Sequence, residues 1–177
     1  MLAEVEARRS LARDNLAPFT EIVGGFLPAA HHRLICEHLE AVAWGVIDRL
    51  QILMPPGSAK STYASHMFPA WYMGVAPAGE RIIAASHTTD LAEYFGRRVR
   101  NTIASPEYRL VFPHVALSPD TTAAGHWALR HGSEYLAAGV GKAIAGRRAA
   151  VALIDDPVKS REAADSAVQR EAVWQWY

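Results

Sequence analysis

The sequence has few of the features that place a chain in a specialised class. It contains one cysteine, Cys36, so an internal disulfide framework is excluded and a reducing compartment is expected. Neither sign of charge dominates, because Lys and Arg together number 18 and Asp and Glu also number 18. No global basic field therefore favours nucleic acid, and any DNA contact must come from a local patch.

Long apolar runs are also missing. No run reaches the roughly 20 residues that a membrane-spanning helix needs, and the first 18 residues carry charges of both signs, unlike a signal peptide. The sequence therefore predicts a soluble, cytoplasmic protein. Its length of 177 residues suits one domain. We divide it into an N-terminal extension, 1–28, with a charged helix over 2–16, and a domain over 29–177.

The most informative stretch runs from Leu50 to Thr62. An apolar run at 50–54 predicts a strand buried on both faces, and Pro-Pro-Gly at 55–57 ends it. Lys60 and Ser61 follow, and a helix is predicted over 62–73. Strand, tight loop, Lys-Ser and helix in this order are typical of a phosphate-binding P-loop.

The chemistry of a P-loop assigns a role to each part of this stretch. Backbone N–H groups of the loop and helix N-terminus bind a polyphosphate. Lys60 reaches the outer phosphates, and the Ser61 hydroxyl ligates Mg²⁺. The predicted nucleotide-binding residues are Pro56, Gly57, Ser58, Ala59, Lys60, Ser61 and Thr62.

The P-loop pattern is imperfect. Of the pattern G-x-x-x-x-G-K-[ST], only Lys60 and Ser61 match, because Met54 and Ala59 stand where the two glycines belong. The alternative is a Pro-Gly turn before an exposed lysine and a helix cap.

A second motif lies at the end of another apolar run. The apolar run at 149–154 predicts a strand, and Asp155 and Asp156 follow it at once, which is the layout of a Walker B motif. Asp155 would hold Mg²⁺ through its water shell, and Asp156 would orient or deprotonate the attacking water. The alternative is an acidic turn that caps the next helix. Both motifs in this order predict a nucleoside triphosphatase.

The remaining pattern alternates helices with strands, which favours an α/β fold with a mainly parallel sheet. Residues 105–119 are predicted to be irregular. The predicted elements are helices over 29–46, 88–103 and 160–176, a strand over 81–86, and a β-hairpin over 126–138.

Two further clusters allow a functional and a structural interpretation. Arg97, Arg98 and Arg100 could contact a phosphate backbone, but a solvated helix face is the alternative. His32, Cys36 and His38 could suggest zinc, yet no second ligand pair has metal spacing. Ser86-His87 is not a triad, because no acid is placed with it. Near the chain end we expect core anchors at Trp174, Trp176 and Tyr177.

Six stretches in fixed order carry a family resemblance. They are 54–62, 68–71, 84–87, 97–100, the glycine-rich 139–148 and 153–159. On these stretches the chain, from about Pro28 onward, resembles the N-terminal ATPase domain of the large terminase subunit of tailed bacteriophages. The first P-loop position need not be Gly in that family. Ala59 departs from the family, which usually has Gly there, and its methyl group could crowd the phosphates.

The resemblance implies a fold and a set of residue roles. The fold is a P-loop NTPase of the RecA/ASCE type with a β-hairpin insertion. Lys60 and Ser61 bind phosphate and Mg²⁺, Asp155 is the Walker B acid, and Asp156 is the catalytic carboxylate. Residues 31–33 lie where adenine contacts occur. The candidates for an arginine finger are Arg147 and Arg148; pairing with surface acids is the alternative for both.

The resemblance also implies an activity and partners. ATP hydrolysis with Mg²⁺ would drive double-stranded viral DNA into the procapsid, and no membrane would be involved. The portal, the small terminase subunit and further copies of the chain would be partners. The alternatives are another P-loop ATPase of the helicase or kinase type, and a prophage remnant that binds nucleotide without turnover.

The family also sets an expectation for the sheet. There a strand that follows the helix after Asp156 inserts between the P-loop strand and the Walker B strand. Since the predicted helix over 160–176 ends the sequence, we expect that strand and the nuclease domain to be missing. The sheet would then hold an unpaired slot, and the chain would be marginally folded with poor ATP turnover. Direct pairing of 50–54 with 151–155 is the alternative.

Overall fold

Helices surround a single sheet in the described part of the chain. The computed structural model describes residues 2–142, 144 and 146–176. A π-helical segment spans Thr62–Met67. The helices are α1 Leu2–Asp14, α2 Leu16–Ile22, α3 Ala30–Ala43, α4 Phe68–Val75, α5 Thr89–Ala104, α6 Pro106–Val111, α7 Arg161–Asp165 and α8 Ala167–Trp176.

The strands form one mixed sheet of five, in the order β2-β3-β4-β1-β5. They are β1 Arg81–Ser86, β2 Leu117–Thr122, β3 His126–Leu129, β4 Glu134–Gly139 and β5 Val151–Asp155. The central strand β1 is parallel to β4 and to β5, whereas β3 is antiparallel to β2 and β4. The predicted α/β class is confirmed. The parallel arrangement holds for three strands rather than for the whole sheet.

The predicted hairpin is present, and it belongs to the main sheet. β3 and β4 pair across the turn at 130–133, and β4 then runs parallel to β1 from Glu134 to Gly139. The expected irregular segment 105–119 instead contains α6 and the start of β2. Pro119 argues against a strand from sequence, but β2 lies at the sheet edge, where a missing N–H does not break a ladder.

The prediction of a strand at 50–54 is wrong. No described residue of this segment belongs to a strand, and the Leu53 side chain is 82% exposed. Leu50, Ile52 and Met54 are only partly buried against the core. No described strand pairs with this apolar run on either side. An extended segment without ladder partners lacks the hydrogen bonds that define a strand.

A cleft of about 700 Å³ separates this segment from the sheet. Residues 48–52 line one wall, and residues 149–155, which include β5, line the other. β5 pairs only with β1 among the described strands, so its second edge faces the cleft. Direct pairing of 50–54 with β5, the alternative expected from the sequence, does not occur. Lys60 and Ser65 line the cleft together with Asp155.

The first two helices pack into the same core as the rest of the chain. Ala12, Leu16 and Phe19 are fully buried, and Phe19 meets the rings of Tyr108 and Phe112 with centroids 5.9 Å away in each case. The division at residue 28 stays a prediction, but these side chains share one apolar cluster with the helices after it.

The chain end differs from its prediction in two ways. One helix was predicted over 160–176, but the backbone breaks at Ser166 between α7 and α8. Trp174 was predicted to be a core anchor, and this is wrong, because it is 70% exposed. Trp176 is only partly buried, and its indole N–H donates to the Lys142 carbonyl at 3.0 Å. Tyr177 lies outside the described residues. None of the described helices is long and apolar enough to cross a membrane.

His66 in the π-helical segment makes stability depend on pH. The ring is buried, and its Nε2 lies 2.8 Å from the Thr102 hydroxyl. Burial, with a smaller contribution from the Arg98 charge, lowers the pKa of His66 from 6.5 to about 4. Between these values the unfolded chain binds the extra proton. The free energy of unfolding should therefore fall as pH drops from about 6.5 to about 4, by roughly 2–3 kcal/mol.

This pH dependence can be assigned by mutation. His66→Gln should remove most of that loss in urea-unfolding curves recorded from pH 7 to pH 4. The matched control is His114→Gln, because His114 is exposed and should leave the slope unchanged. An undiminished slope in His66→Gln would show that another group titrates.

Candidate functional site

A tight turn shapes the loop before Lys60. The Ser58 N–H donates to the Pro55 carbonyl at 3.3 Å, and Gly57 has a φ of 79°. With Pro56 at the second position and Gly57 at the third, these features are those of a type II turn. Helical backbone then begins at Lys60. The first N–H groups of a helix have no intrahelical partner and are available to an anion.

Ala59 connects the turn to the helix in a strained conformation. Its φ is 58°, in the left-handed region that favours glycine. The sequence places Ala where the P-loop pattern has Gly, and the backbone adopts the geometry for which glycine is suited. Ala59 therefore carries local strain of about 1–2 kcal/mol.

His32 of α3 contacts the loop through its imidazole ring. Its Nδ1 accepts a hydrogen bond from the Ala29 N–H at 3.2 Å, so Nε2 carries the proton and donates to the Ser58 carbonyl at 3.0 Å. The ring also stacks on Tyr63, with centroids 4.4 Å apart. Both ring nitrogens are thus engaged within the chain. The adenine-contact role that the resemblance implies for 31–33 stays a prediction.

The structure brings the two predicted motifs together. Lys60 Nζ lies 2.8 Å from Asp156 Oδ1 and 3.4 Å from Asp155 Oδ1. Asp155 ends β5 and is 9% exposed as a residue, whereas the Asp156 side chain is 65% exposed. Residues about 95 positions apart therefore meet at the carboxyl end of the parallel strands, the edge where α/β sheets bind ligands.

The two carboxylates hold Lys60 in its charged form. Partial burial acts to lower the pKa of Lys60, but the hydrogen bond to Asp156 and the charge of Asp155 outweigh it. The net pKa is raised above its ordinary value. Lys60 is therefore a cation with two internal counter-ions, and an incoming polyphosphate would compete with these acids for it.

Two residues near the acids were not predicted to belong to the site. The Asp156 carbonyl lies 3.2 Å from Nδ1 of His87, at the end of β1, and Asp156 has a φ of 47°. Ser65 donates from its hydroxyl to Asp155 Oδ2 at 2.8 Å. The spacing Ser61-x-x-x-Ser65 puts both hydroxyls near one helix face, and this is the only sequence signal that could have identified Ser65.

The donor set suits a hard divalent cation that is shared with phosphates. Ser61 lies in the first turn of the helix that follows the loop, and Asp155 supplies a carboxylate from the end of β5. Mg²⁺ in nucleotide sites takes one or two protein oxygens and completes its shell with phosphates and water. In the described part of the chain no group of three or more His, Cys, Asp or Glu side chains could hold a metal by itself. His32, Cys36 and His38, which could suggest zinc from their spacing, form no such group, and Cys36 is buried.

The predicted arginine-finger residues are not brought to the acids within one chain. Arg148 accepts a hydrogen bond on its carbonyl from Arg81, at the start of β1, whereas the acids lie at the far end of β5. A strand of this length spans roughly 17 Å. Arg147 and Arg148 are both exposed. Their role as arginine fingers stays a prediction.

The basic cluster on α5 has partners within the chain. Arg97 lies 3.9 Å from Glu93, and the Arg98 guanidinium lies over the Tyr94 ring at 5.7 Å. The Arg97 side chain is 44% exposed. The phosphate-backbone interpretation stays a prediction.

Comparison of the chain with protein-family models, with curated proteins and with solved structures finds no match.

Ala59→Gly tests whether the strained backbone limits this site. The change removes a left-handed Ala, which offsets the larger unfolded-state entropy of Gly. In urea unfolding it should leave stability unchanged or higher by up to about 1 kcal/mol. The control Ala78→Gly, in an exposed turn without positive φ, should lose about 0.4–1 kcal/mol. A fluorescent ATP analogue should bind Ala59→Gly no more weakly than wild type. Weaker binding would contradict the idea that the Ala59 methyl group crowds the phosphates.

Proposed function

We propose that the chain is a Mg²⁺-dependent ATPase whose nucleotide lies across the turn 55–58 and the helix that begins at Lys60. The observation that carries this proposal is the meeting of Lys60 with Asp155 and Asp156 at 3.4 and 2.8 Å. A lysine and a hydroxyl beside free N–H groups bind phosphates. The buried acid, Asp155, would bind the metal, and the exposed acid, Asp156, would accept the proton.

Exchange of the Lys60 partners is the first step. In the structure Lys60 pairs with Asp156. ATP would draw the ammonium group toward its β- and γ-phosphates, where the opposing charge is larger. Asp156 would then lose its counter-ion and face solvent as a free carboxylate. Binding of substrate thereby prepares the base.

Hydrolysis follows from the exposed position of Asp156. Its carboxylate accepts a proton from a water whose oxygen attacks the γ-phosphorus, while the bond to the ADP leaving oxygen breaks. Lys60 neutralises charge on the transferring group. Ser61 and Asp155 would hold Mg²⁺, which supplies neutralisation of the phosphate charge. His87 fixes the Asp156 backbone through its carbonyl.

We further propose that this ATPase is the motor domain of a phage terminase large subunit. The six ordered stretches that resemble that family support this extension. Hydrolysis would then drive double-stranded DNA into a procapsid, with the portal, the small terminase subunit and further copies of the chain as partners. The exposed Arg97 on α5 would contact DNA phosphates. The cytoplasm of the host cell is the proposed location.

A second candidate is a protein that binds nucleotide without turnover. The left-handed Ala59 favours it, because a methyl group in the loop can displace the γ-phosphate from its in-line position. The two candidates share the binding step and differ in hydrolysis.

Lys60→Ala tests the binding step that both candidates require. In a titration with a fluorescent ATP analogue and Mg²⁺, the variant should bind at least tenfold more weakly, because a charge-assisted contact contributes about 1.5–3 kcal/mol. Lys159→Ala removes an exposed lysine outside the site and serves as the control. Equal affinity in wild type and Lys60→Ala would remove the phosphate site.

A further inference from the structure

Ser65 makes a buried contact with the Walker B acid. The residue lies four positions after Ser61, inside the π-helical segment Thr62–Met67. Its hydroxyl donates to Asp155 Oδ2 at 2.8 Å. Ser65 is 6% exposed and Asp155 is 9% exposed. Little water can therefore replace this hydrogen bond if the hydroxyl is removed.

The contact divides the two oxygens of Asp155 between two partners. Oδ2 is bound by Ser65, and Oδ1 faces Lys60 at 3.4 Å. The terminal torsion of an Asp side chain has a broad energy minimum, so the hydrogen bond from Ser65, the shorter of these two contacts, restrains the carboxylate plane. Ser61 makes no hydrogen bond to Asp155 within the described structure, which leaves its hydroxyl for another ligand.

We propose that Ser65 is a positioning residue for magnesium: it anchors Asp155 Oδ2 so that Oδ1 is directed toward the cation bound with the nucleotide. This inference rests on the proposed Mg²⁺-dependent nucleotide binding. Ser65 touches neither nucleotide nor metal and acts through Asp155 alone. Groups that orient a metal-binding carboxylate in this way usually change metal affinity 10- to 100-fold when they are removed.

A purely structural role would have a different signature. If Ser65 only satisfied a buried acid, its loss would lower stability and leave the Mg²⁺ dependence of binding unchanged. Two quantities distinguish a positioning role. The first is the nucleotide affinity without metal, which depends on Lys60 and the loop. The second is the Mg²⁺ concentration that gives half of the metal-dependent increase in affinity. The second quantity alone should respond to Ser65.

The experiment measures both quantities with a fluorescent ATP analogue. Affinity is recorded in EDTA and then during titration with Mg²⁺, for wild type, Ser65→Ala and Ser65→Thr. Ser65→Ala should keep its EDTA affinity within about twofold and need at least tenfold more Mg²⁺. Ser65→Thr keeps the hydroxyl and should restore the requirement to within about threefold. The control Ser133→Ala, which removes a buried serine in the hairpin turn, should behave as wild type.

The possible results separate this inference from the proposed function. Suppose that wild-type binding depends on Mg²⁺ and that Lys60→Ala binds more weakly, as expected. An unchanged Mg²⁺ requirement in Ser65→Ala then overturns the positioning role alone. Wild-type binding that does not depend on Mg²⁺ overturns both. If Ser65→Ala does not fold, Ser65→Cys carries the same test, because its thiol has a similar volume and is a weaker donor. It should raise the requirement at least threefold, and an unchanged requirement overturns the proposal.

Discussion

Asp156→Asn is expected to lower ATP turnover at least 100-fold while nucleotide affinity stays equal or rises. The amide cannot accept the proton of the attacking water, and loss of general-base catalysis typically costs 10²–10⁴-fold in rate. Affinity is spared because Lys60, not Asp156, would contact the phosphates. It can rise because the amide competes less well for Lys60, which lies 2.8 Å from Asp156.

The assay for this variant is release of labelled phosphate under single-turnover conditions, since turnover of the chain is expected to be slow. Asp165→Asn, an exposed carboxylate in α7, should hydrolyse ATP at the wild-type rate. Asp155→Asn should instead weaken the Mg²⁺ dependence of binding. If Asp156→Asn keeps full turnover, the catalytic carboxylate lies elsewhere.

Phe19→Ala is expected to destabilise the fold by about 3–5 kcal/mol, the usual cost of removing a buried aromatic ring. Phe19 is fully buried and packs edge-on against Tyr108 at 5.9 Å. This loss is a large part of the roughly 5–15 kcal/mol that keeps a domain folded. The result would make α2 part of the domain core and not an appended segment.

Leu11→Ala is the matched control for Phe19→Ala. Leu11 lies in α1 and is 52% exposed, so its truncation should change the urea midpoint only slightly. If both variants have wild-type midpoints, residues 1–28 are an extension outside the domain core.

The local sequence patterns predicted the elements whose own residues determine them. The strand at 81–86 and the helix after it are confirmed, because the apolar pattern is strong and Thr88 caps α5 through the Leu91 N–H. The hairpin is also confirmed. Its turn contains Gly132, which readily adopts the observed φ of 92°.

The predictions that failed depended on partners distant in sequence. Residues 50–54 have the composition of a buried strand, but a strand needs a neighbour to complete its ladder, and composition does not supply one. Exposure of Trp174 likewise follows from how α8 lies on the molecule. Pro119 likewise disfavours a strand only where its missing N–H would be paired, and the edge position of β2 depends on the whole sheet.

The candidate site divides in the same way. Lys60, Asp155 and Asp156 could be found from sequence because each motif places its residues at the end of an element, and the parallel sheet then brings the ends together. Ser65 had only its four-residue spacing from Ser61 as a signal, and His87 had none, because their contacts to the acids depend on helix depth and strand register. The assignment of Arg147 and Arg148 relied on a position in the sequence. The structure puts that position at the opposite end of β5.

The central claim is that Lys60, Asp155 and Asp156 form a site for Mg²⁺ and ATP. The most direct test is backbone amide NMR of the protein titrated with Mg²⁺ and a non-hydrolysable ATP analogue. Saturable shifts are expected at residues 57–62 and at Asp155 and Asp156, and they should be reduced when Mg²⁺ is chelated and lost in Lys60→Ala. Shifts that cluster elsewhere, such as along α5, or no shifts at millimolar analogue, would contradict it.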